Sequence, residues 1–374
     1  MQSKESFQDR LKIGLQSAWY KRGLLSFLIS ALLWPLSQVF KFLAFSHRQL
    51  YKFGALKAHK VSVPVVVVGN IVAGGGGKTP TVIALVQHLQ AQGVQVGVIS
   101  RGYGRTSPEC LEVTPNSSTS EVGDEPASIL LACTAPVFVA KSRFEAATTL
   151  LKIYPDTQVI ISDDGLQHHA LQHDIAITVF DDRGLGNGLW LPAGPVRGPA
   201  GPLRESSVKT DNSLVLHTGN QAVKLTNTTA PQFTARRALA SYTLRSDGSQ
   251  VHLSELKEQK PLLALAGIAN PEAFFEMLRG AGLSLAEALA LPDHYNFSYD
   301  FHSYLSNKYA GYTLICTVKD AVKLWPSPPA MNLQILAVPL EFEPEAAFFA
   351  AFDAMLKPLL KPLLKPLLMP LIRR

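Results

Sequence analysis

The chain has 374 residues, 47% hydrophobic and 17% charged, which excludes an intrinsically disordered chain and implies more than one domain with a sizeable core. Three cysteines (Cys110, Cys133, Cys316) with no C-x-x-C pair exclude a disulfide scaffold and a thiolate zinc site, and suit a reducing compartment. Net charge is +6, but residues 1–60 carry ten Lys/Arg against two acids and residues 354–374 five against none. The middle of the chain is therefore acidic, and basic, greasy ends fit an anionic membrane surface better than nucleic acid.

Between Arg22 and Lys41 runs an uncharged stretch, GLLSFLISALLWPLSQVF. Its length is near the lower limit for a membrane span, and Pro35, Gln38 and three serines weaken a full crossing. The expectation is a helix lying in or dipping into the bilayer, with Trp34 near the interface and Lys21, Arg22, Lys41 and Arg48 on headgroups. No small-residue cleavage site follows, so a removed signal peptide is not expected.

PVVVV (64–68) is a continuous apolar run, as expected of a strand covered on both faces. A glycine loop and a helical pattern closed by Gly93 follow, then VQVGVIS, PVFVA (136–140), a helix near 142–153, QVIIS (158–162) and IAITVF (175–180). This alternation predicts an α/β fold, a mostly parallel sheet with helices on both faces. Residues 219–260 are polar and Thr-rich, and QFTARRALASYTL suggests a small antiparallel element. A second α/β block starts at PLLALAG (261–267), with a helix near 271–280 and strands at 312–318 and 334–338. The expected organisation is an N-terminal helical segment (1–60), a nucleotide-binding domain (61–225), a linker with short antiparallel strands (226–260), a smaller C-terminal α/β domain (261–353) and a tail (354–374). Proline at every fourth residue of KPLLKPLLKPLLMPL predicts an extended tail, not a regular helix.

The strongest chemical signal is Gly74-Gly75-Gly76-Gly77-Lys78-Thr79 directly after the first strand. A phosphate loop needs small residues, so that backbone N–H groups from Ala73 onward can point at phosphate oxygens. Lys78 would pair with the β/γ-phosphates, the Thr79 hydroxyl would ligate Mg²⁺, and Pro80 is tolerated in a helix's first turn. Val72 stands where the general pattern has glycine. Such a site needs a carboxylate at a neighbouring strand end. Asp163-Asp164, followed by Gly165, Gln167 and His168, has that form, and Asp181-Asp182 is the rival pair. Asp124 in GDEP reads either as a helix N-cap or as a catalytic base. His294 in LPDHYNF is a candidate partner for it. Arg101, Arg143 and Arg197 flank the sheet and could face phosphates.

Together these strings resemble the tetraacyldisaccharide 4′-kinase family, the lipid A 4′-kinases of Gram-negative bacteria. The matching pieces are VPVVVVGN, GGGGKTP, ISRGYG, VGDEP, SDDGLQH, GNGLWLPAGPVR, LAGIANPEAFF, LPDHYNF and TVKDAVK. Val318 and Gly198 stand where the family usually has glutamate, and the KPLL tail has no counterpart. The resemblance implies a P-loop domain and a smaller α/β domain. It implies transfer of the ATP γ-phosphate to the 4′-hydroxyl of an acylated glucosamine disaccharide 1-phosphate at the cytoplasmic face of the inner membrane. It also implies Mg²⁺ on Thr79, Asp163 and Asp164, and catalysis by Asp124 paired with His294 across a domain cleft. Arg101, Arg143, Gln167, His168 and Arg197 are the candidate substrate residues. No obligate protein partner is evident. The competing reading is a membrane-attached regulatory ATPase or GTPase. Thr317-Val318-Lys319-Asp320 puts lysine one place late for a guanine reader, and no nucleic-acid-binding motif is present.

Overall fold

In the computed structural model, the described residues are 14–15, 18–21, 23–74, 76–198, 212–219, 225, 228–257, 261–268, 270–293, 295, 297–326 and 333–364. In chain order the principal elements are α1 (Leu24–Lys52), β1 (Val65–Gly69), α2 (Lys78–Ala91), β2 (Val96–Ser100), β3 (Leu111–Glu112), α3 (Asp124–Ala132), β4 (Val137–Val139), α4 (Arg143–Ile153), β5 (Val159–Asp163), β6 (Ile175–Phe180), β7 (Ser213–His217) and β8 (Gln232–Leu239). They continue with β9 (Tyr242–Leu244), β10 (Gln250–His252), β11 (Leu262–Ala266), α5 (Pro271–Gly280), β12 (Leu285–Ala290), α6 (Tyr299–Lys308), β13 (Thr313–Thr317), α7 (Val318–Leu324), β14 (Gln334–Val338), β15 (Leu340–Pro344) and α8 (Ala346–Leu364).

These elements form two compact units. One comprises Met1–Arg101, Ser142–Ala235 and Pro344–Arg374, the other Gly102–Lys141 and Arg236–Glu343. The division differs from the expected linear order. Residues 102–141 fold with the second unit, where α3 packs on α7, although the sequence reading placed them in the nucleotide-binding domain.

In the first unit, β2, β5, β1, β6, β7 and the start of β8 lie side by side and parallel. Strands β1, β2, β5, β6 and β7 are buried at every residue, which is why they read as unbroken apolar runs. In QFTARRALASYTL, Gln232–Thr234 pair parallel with β7, and the YTL end forms β9, antiparallel to β10 and β14 as the alternation suggests. Glycine is what lets α4 approach β2: a Cβ at Gly97 would lie 2.7 Å from the Leu150 side chain.

In the second unit, β12, β11, β13 and β14 are parallel, and β9 and β10 add an antiparallel edge. Residues 242–252 are thus part of this sheet rather than a separate linker. Phe274, Phe275 and Leu278 of α5 cover one face, and Leu305, Tyr309, Ala321 and Leu324 cover the other.

Helix α1 is inverted relative to a core helix. Its buried residues are Ser30 and Ser37, while Leu25, Phe27, Leu32, Trp34 and Phe42 are exposed. The Ser37 hydroxyl donates to the Trp190 carbonyl at 2.8 Å and accepts from the Ala193 N–H at 3.0 Å, and the Asn187 amide donates to Ser30 Oγ at 3.1 Å. Polar contacts therefore dock the helix on the 187–193 loop and leave its apolar side outward. It is long and apolar enough to cross a membrane.

The C-terminal helix corrects the reading of the tail. Helix α8 runs through Leu364 and includes Pro358 and Pro362. A proline inside a helix costs about 3 kcal/mol or more. Here the preceding turns are anchored by the fully buried Phe348, Phe352 and Leu356, and His88 on α2 stacks on Phe349 and meets Asp353 Oδ1 at 2.9 Å. Residues 365–374 of that tail lie outside the described residues. Phe352→Ala should destabilise the protein by about 3–5 kcal/mol, seen as a lowered denaturation midpoint; an unchanged midpoint would show that α8 does not anchor the fold.

Candidate nucleotide and catalytic site

The parallel order brings the carboxyl ends of β1, β5 and β2 together, the edge where α/β sheets bind ligands. Val68 of β1 pairs with Asp163 of β5, and Ile99 of β2 with Ser162. From this edge the chain turns through residues 70–77 into α2, whose first residue is Lys78. Gly77, at the helix start, has φ 85° and Gly74 has φ 101°, a region that disfavours any side chain. Val72 is held in a bridge with Val196, so it contributes to the loop's base and not to its tip.

The loop is braced from beneath. The Asn70 amide donates to the Gly74 carbonyl at 2.8 Å, and the Thr218 hydroxyl donates to the Gly76 carbonyl at 2.9 Å. The Gln167 amide donates to the Asn70 carbonyl at 2.8 Å. Arg197 donates through Nε to the Val72 carbonyl at 3.1 Å and through a terminal nitrogen to Asn70 Oδ1. Ala73, Gly74, Gly76 and Gly77 thus form a shaped turn at the start of α2, with Thr79 and Pro80 in its first turn. Gly75 lies outside the described residues.

Lys78 is buried, and its ammonium lies 3.8 Å from Asp164 Oδ1. Arg197 reaches the same oxygen at 3.7 Å. Asp163 is fully buried and accepts from the Ser100 hydroxyl at 3.3 Å. Asp164 has φ 46°, the one described non-glycine residue with positive φ, a strained conformation of the kind that collects at functional sites. Arg143 holds that turn. Its guanidinium donates to the carbonyls of Asp163 at 3.0 Å and Asp164 at 3.1 Å, and burial lowers its pKa although both carboxylates oppose the shift. Read from sequence as substrate-facing, Arg143 is instead a buried brace for the acidic pair. Arg101 is exposed immediately after β2. The rival acid Asp181 is engaged by the Arg183 fork at 3.0 and 2.7 Å.

The oxygen donors Thr79, Asp163 and Asp164 suit a hard cation such as Mg²⁺. Asp164 Oδ1 in particular is buried, accepts no hydrogen bond and faces two cations, so the set fits a metal held beside phosphates.

His168, beside this turn, has its pKa lowered to about 4 by burial and by the nearby Arg143 and Arg101 charges. Burial, with neighbouring basic groups, lowers His169 and His173 to about 4 as well. Their folded values lie below the unfolded value of about 6.5. Between pH 6.5 and 4 the unfolded chain therefore binds more protons, and stability falls as pH drops through that window. Denaturation midpoints at pH 7 and pH 5 should differ in that direction; equal midpoints would contradict it.

In the second unit, Asp124 is the first residue of α3 and is buried. Its Oδ1 accepts the Glu125 N–H at 3.0 Å, and its Oδ2 lies 3.0 Å from Lys323 Nζ and 3.9 Å from Lys319 Nζ. Gly123 leads into it with φ 92°, and a Cβ there would meet the Gly102 backbone at 3.0 Å. Asp124 therefore shares a unit with Asp293 and Tyr295, whereas the sequence reading puts Asp124 and the 293–295 stretch in different domains. His294 itself lies outside the described residues. Lys319 and Lys323 were missed as site residues. A helical lysine reads as solvated, and the available signal was their i, i+4 spacing in TVKDAVK.

A parallel sheet carrying a glycine loop, a helix-starting lysine and a strand-end acidic pair defines a P-loop nucleotide-binding protein. The family model for tetraacyldisaccharide-1-P 4′-kinase (LpxK) matches residues 29–357. The tetraacyldisaccharide 4′-kinase of Polaromonas naphthalenivorans (strain CJ2) is 52% identical over 339 residues, covering 91% of this chain and 93% of that protein. The one from Polaromonas sp. (strain JS666 / ATCC BAA-500) is 53% identical over 332 residues, covering 89% and 93%. Among solved structures, LpxK from Aquifex aeolicus in complex with ATP superposes with a TM-score of 0.72 at 26% identity, over 88% of this chain and 99% of that one. The chain belongs to the tetraacyldisaccharide-1-P 4′-kinase family.

Proposed function

We propose that this chain is an ATP-dependent kinase that transfers the γ-phosphate to the 4′-hydroxyl of a tetraacylated glucosamine disaccharide 1-phosphate, a step of lipid A biosynthesis. The observation that carries the reading is the braced glycine turn that places Lys78 beside Asp164, in a chain whose relatives bear that activity's name. Loop amides from Ala73 to Gly77 and the Lys78 ammonium hold the β/γ-phosphates, where preorganised donors stabilise charge on the transferring group. Thr79, Asp163 and Asp164 would hold Mg²⁺, which when bound supplies charge neutralisation on the phosphates. Asp124, with His294 as its partner, takes the proton of the attacking 4′-hydroxyl. Arg101 and His168 lie beside the acidic turn, where they orient the phosphate-bearing ligands, and Gln167 and Arg197 hold the loop base in shape for them.

The lipid's acyl chains stay in the bilayer, so the enzyme works at the cytoplasmic face of the inner membrane, held there by α1. The outward apolar side of α1 and its dense flanking Lys and Arg residues support this. The decisive assay incubates the pure protein with ATP labelled at the γ-position and the disaccharide 1-phosphate lipid. Label in the organic phase, as a bis-phosphorylated lipid, is the expected result. ATP hydrolysis with no labelled lipid would favour the competing reading of a membrane-attached regulatory ATPase.

A further inference from the structure

Strand β6 lies next to β1 and ends at Phe180, so the chain that leaves it starts beside the phosphate loop. There Asp181, the rival of the Mg²⁺ acids in the sequence, is committed to Arg183. Its carboxylate accepts from Arg183 Nε at 3.0 Å, from Nη2 at 2.7 Å and from the Arg183 N–H at 3.1 Å. The fork so fixed lies against the loop: a Cβ on Gly74 would sit 3.1 Å from Arg183 Nη1. The Tyr20 ring packs on the same guanidinium, its centre 5.4 Å from the guanidinium carbon, and the Tyr20 hydroxyl donates to the Ala73 carbonyl at 3.4 Å. Trp19 seats Tyr20 in turn. The Trp19 indole donates to the Pro192 carbonyl at 2.9 Å, and the Trp19 carbonyl accepts the Asn187 N–H at 2.9 Å. Gly186 makes room for both residues, because a Cβ there would lie 2.8 Å from the Trp19 carbonyl oxygen and 3.0 Å from the Tyr20 ring. Helix α1 opens at Leu24, just beyond this segment.

We propose that Tyr20 and Arg183 are positioning residues for nucleotide binding, a strap by which the segment entering α1 holds the Ala73–Gly74 corner of the phosphate loop in its ligand-ready shape. The inference rests on the reading of this loop as the ATP site. Glycine loses more backbone freedom on ordering than any other residue. A loop built on Gly74, Gly76 and Gly77 therefore grips phosphate well only if it is ordered before the ligand arrives. Asn70 and Thr218, just after β1 and β7, already hold the Gly74 and Gly76 carbonyls. The strap adds the corner ahead of them, at the Ala73 carbonyl and the Gly74 α-carbon. Asp181 offsets the charge of Arg183, so the guanidinium shapes the loop rather than adding a free cation to it. Burial raises the Tyr20 pKa, which keeps the phenol protonated and able to donate. Such a strap acts on affinity and not on the chemical step, because Lys78 and the strand-end acids are untouched by it.

The test measures binding of a non-hydrolysable ATP analogue to the full chain by calorimetry, beside kcat and both KM values in the lipid kinase assay. The variants are Arg183→Met, Arg183→Lys, Tyr20→Ala and Tyr20→Phe. Arg183→Met should raise the Kd about 10-fold, the scale of losing hydrogen bonds from one charged group. Tyr20→Ala should raise it about fivefold, through the lost contact of ring and guanidinium. The KM for ATP should rise with the Kd, while kcat at saturating ATP and the KM for lipid stay within about twofold. Tyr20→Phe keeps the ring and gives up only a long hydroxyl contact, so its Kd should lie within about twofold of the parent value. Arg183→Lys keeps a charge but cannot hold Asp181 as a fork, and should recover only part of the affinity. If Arg183→Met does not fold, the two Tyr20 variants carry the test. An unchanged Kd in Arg183→Met and Tyr20→Ala would overturn the strap and leave the loop standing as the ATP site. A fall in kcat, or a lowered denaturation midpoint, with the parental Kd would overturn it too, as a packing role. No binding of the analogue by the parent chain would remove the ATP-site reading and the strap together.

Discussion

Replacing Lys78 by methionine should lower phosphoryl transfer by about 10²–10³-fold, the loss seen when one preorganised donor to a developing charge is removed. Lys78 is the first residue of α2, and Gly77 at φ 85° delivers it there. Its buried ammonium sits 3.8 Å from Asp164, inside the turn that would hold the β/γ-phosphates. Methionine keeps the length and packing of the stem but removes the charge, so the fold should survive. Arg197 reaches the same carboxylate, but its other nitrogens brace Val72 and Asn70, so it cannot take over the phosphate contact without loosening the loop. The check is the initial rate of label transfer from ATP to lipid, with circular dichroism to show that the variant is folded. A rate within a fewfold of the parent would mean that Lys78 does not contact the transferring phosphate.

Replacing Asp124 by alanine should cost about 10²–10⁴ in kcat, the range for general-base assistance, and leave ATP affinity unchanged. The separation of effects follows from the architecture: Asp124 starts α3 in one unit, and the 70–80 loop belongs to the other. Alanine also strands two cations. Lys319 keeps Asp293 and Lys323 keeps the Tyr295 carbonyl, so the site stays partly satisfied, but breaking a buried pair usually destabilises. Equilibrium binding of an ATP analogue, measured beside single-turnover transfer, separates the two readings. Lost binding with normal turnover of what remains bound would contradict the assignment.

The strands were legible because parallel strands covered on both faces are unbroken apolar runs. PVVVV, VGVIS, VIIS and IAITVF each became a fully buried strand. Glycine before Lys78 and the acids after QVIIS were legible because a phosphate site constrains backbone and charge locally. What was not legible depends on contacts distant in sequence. The packing of α3 on α7, about two hundred residues later, is one such contact, and no local pattern within 102–141 marks it. Arg143 resembles a surface phosphate reader in sequence. Only the fold shows it buried against two carbonyls. Proline spacing argued against a helix at the C-terminus, but tertiary anchoring by Phe348, Phe352 and Leu356 outweighs the local penalty. QFTARRAL carries no continuous apolar run, so its parallel pairing with β7 was hidden behind half-exposed residues.

The central claim is that the turn beside Lys78 cradles the triphosphate from which the lipid is phosphorylated. A crystal of the protein soaked with a non-hydrolysable ATP analogue tests it most directly. The account predicts the β/γ-phosphates within hydrogen-bonding distance of Lys78 Nζ and of the amides around Gly76 and Gly77, with the terminal phosphate facing Asp163 and Asp164. A well-ordered triphosphate elsewhere, with this turn empty, would contradict it.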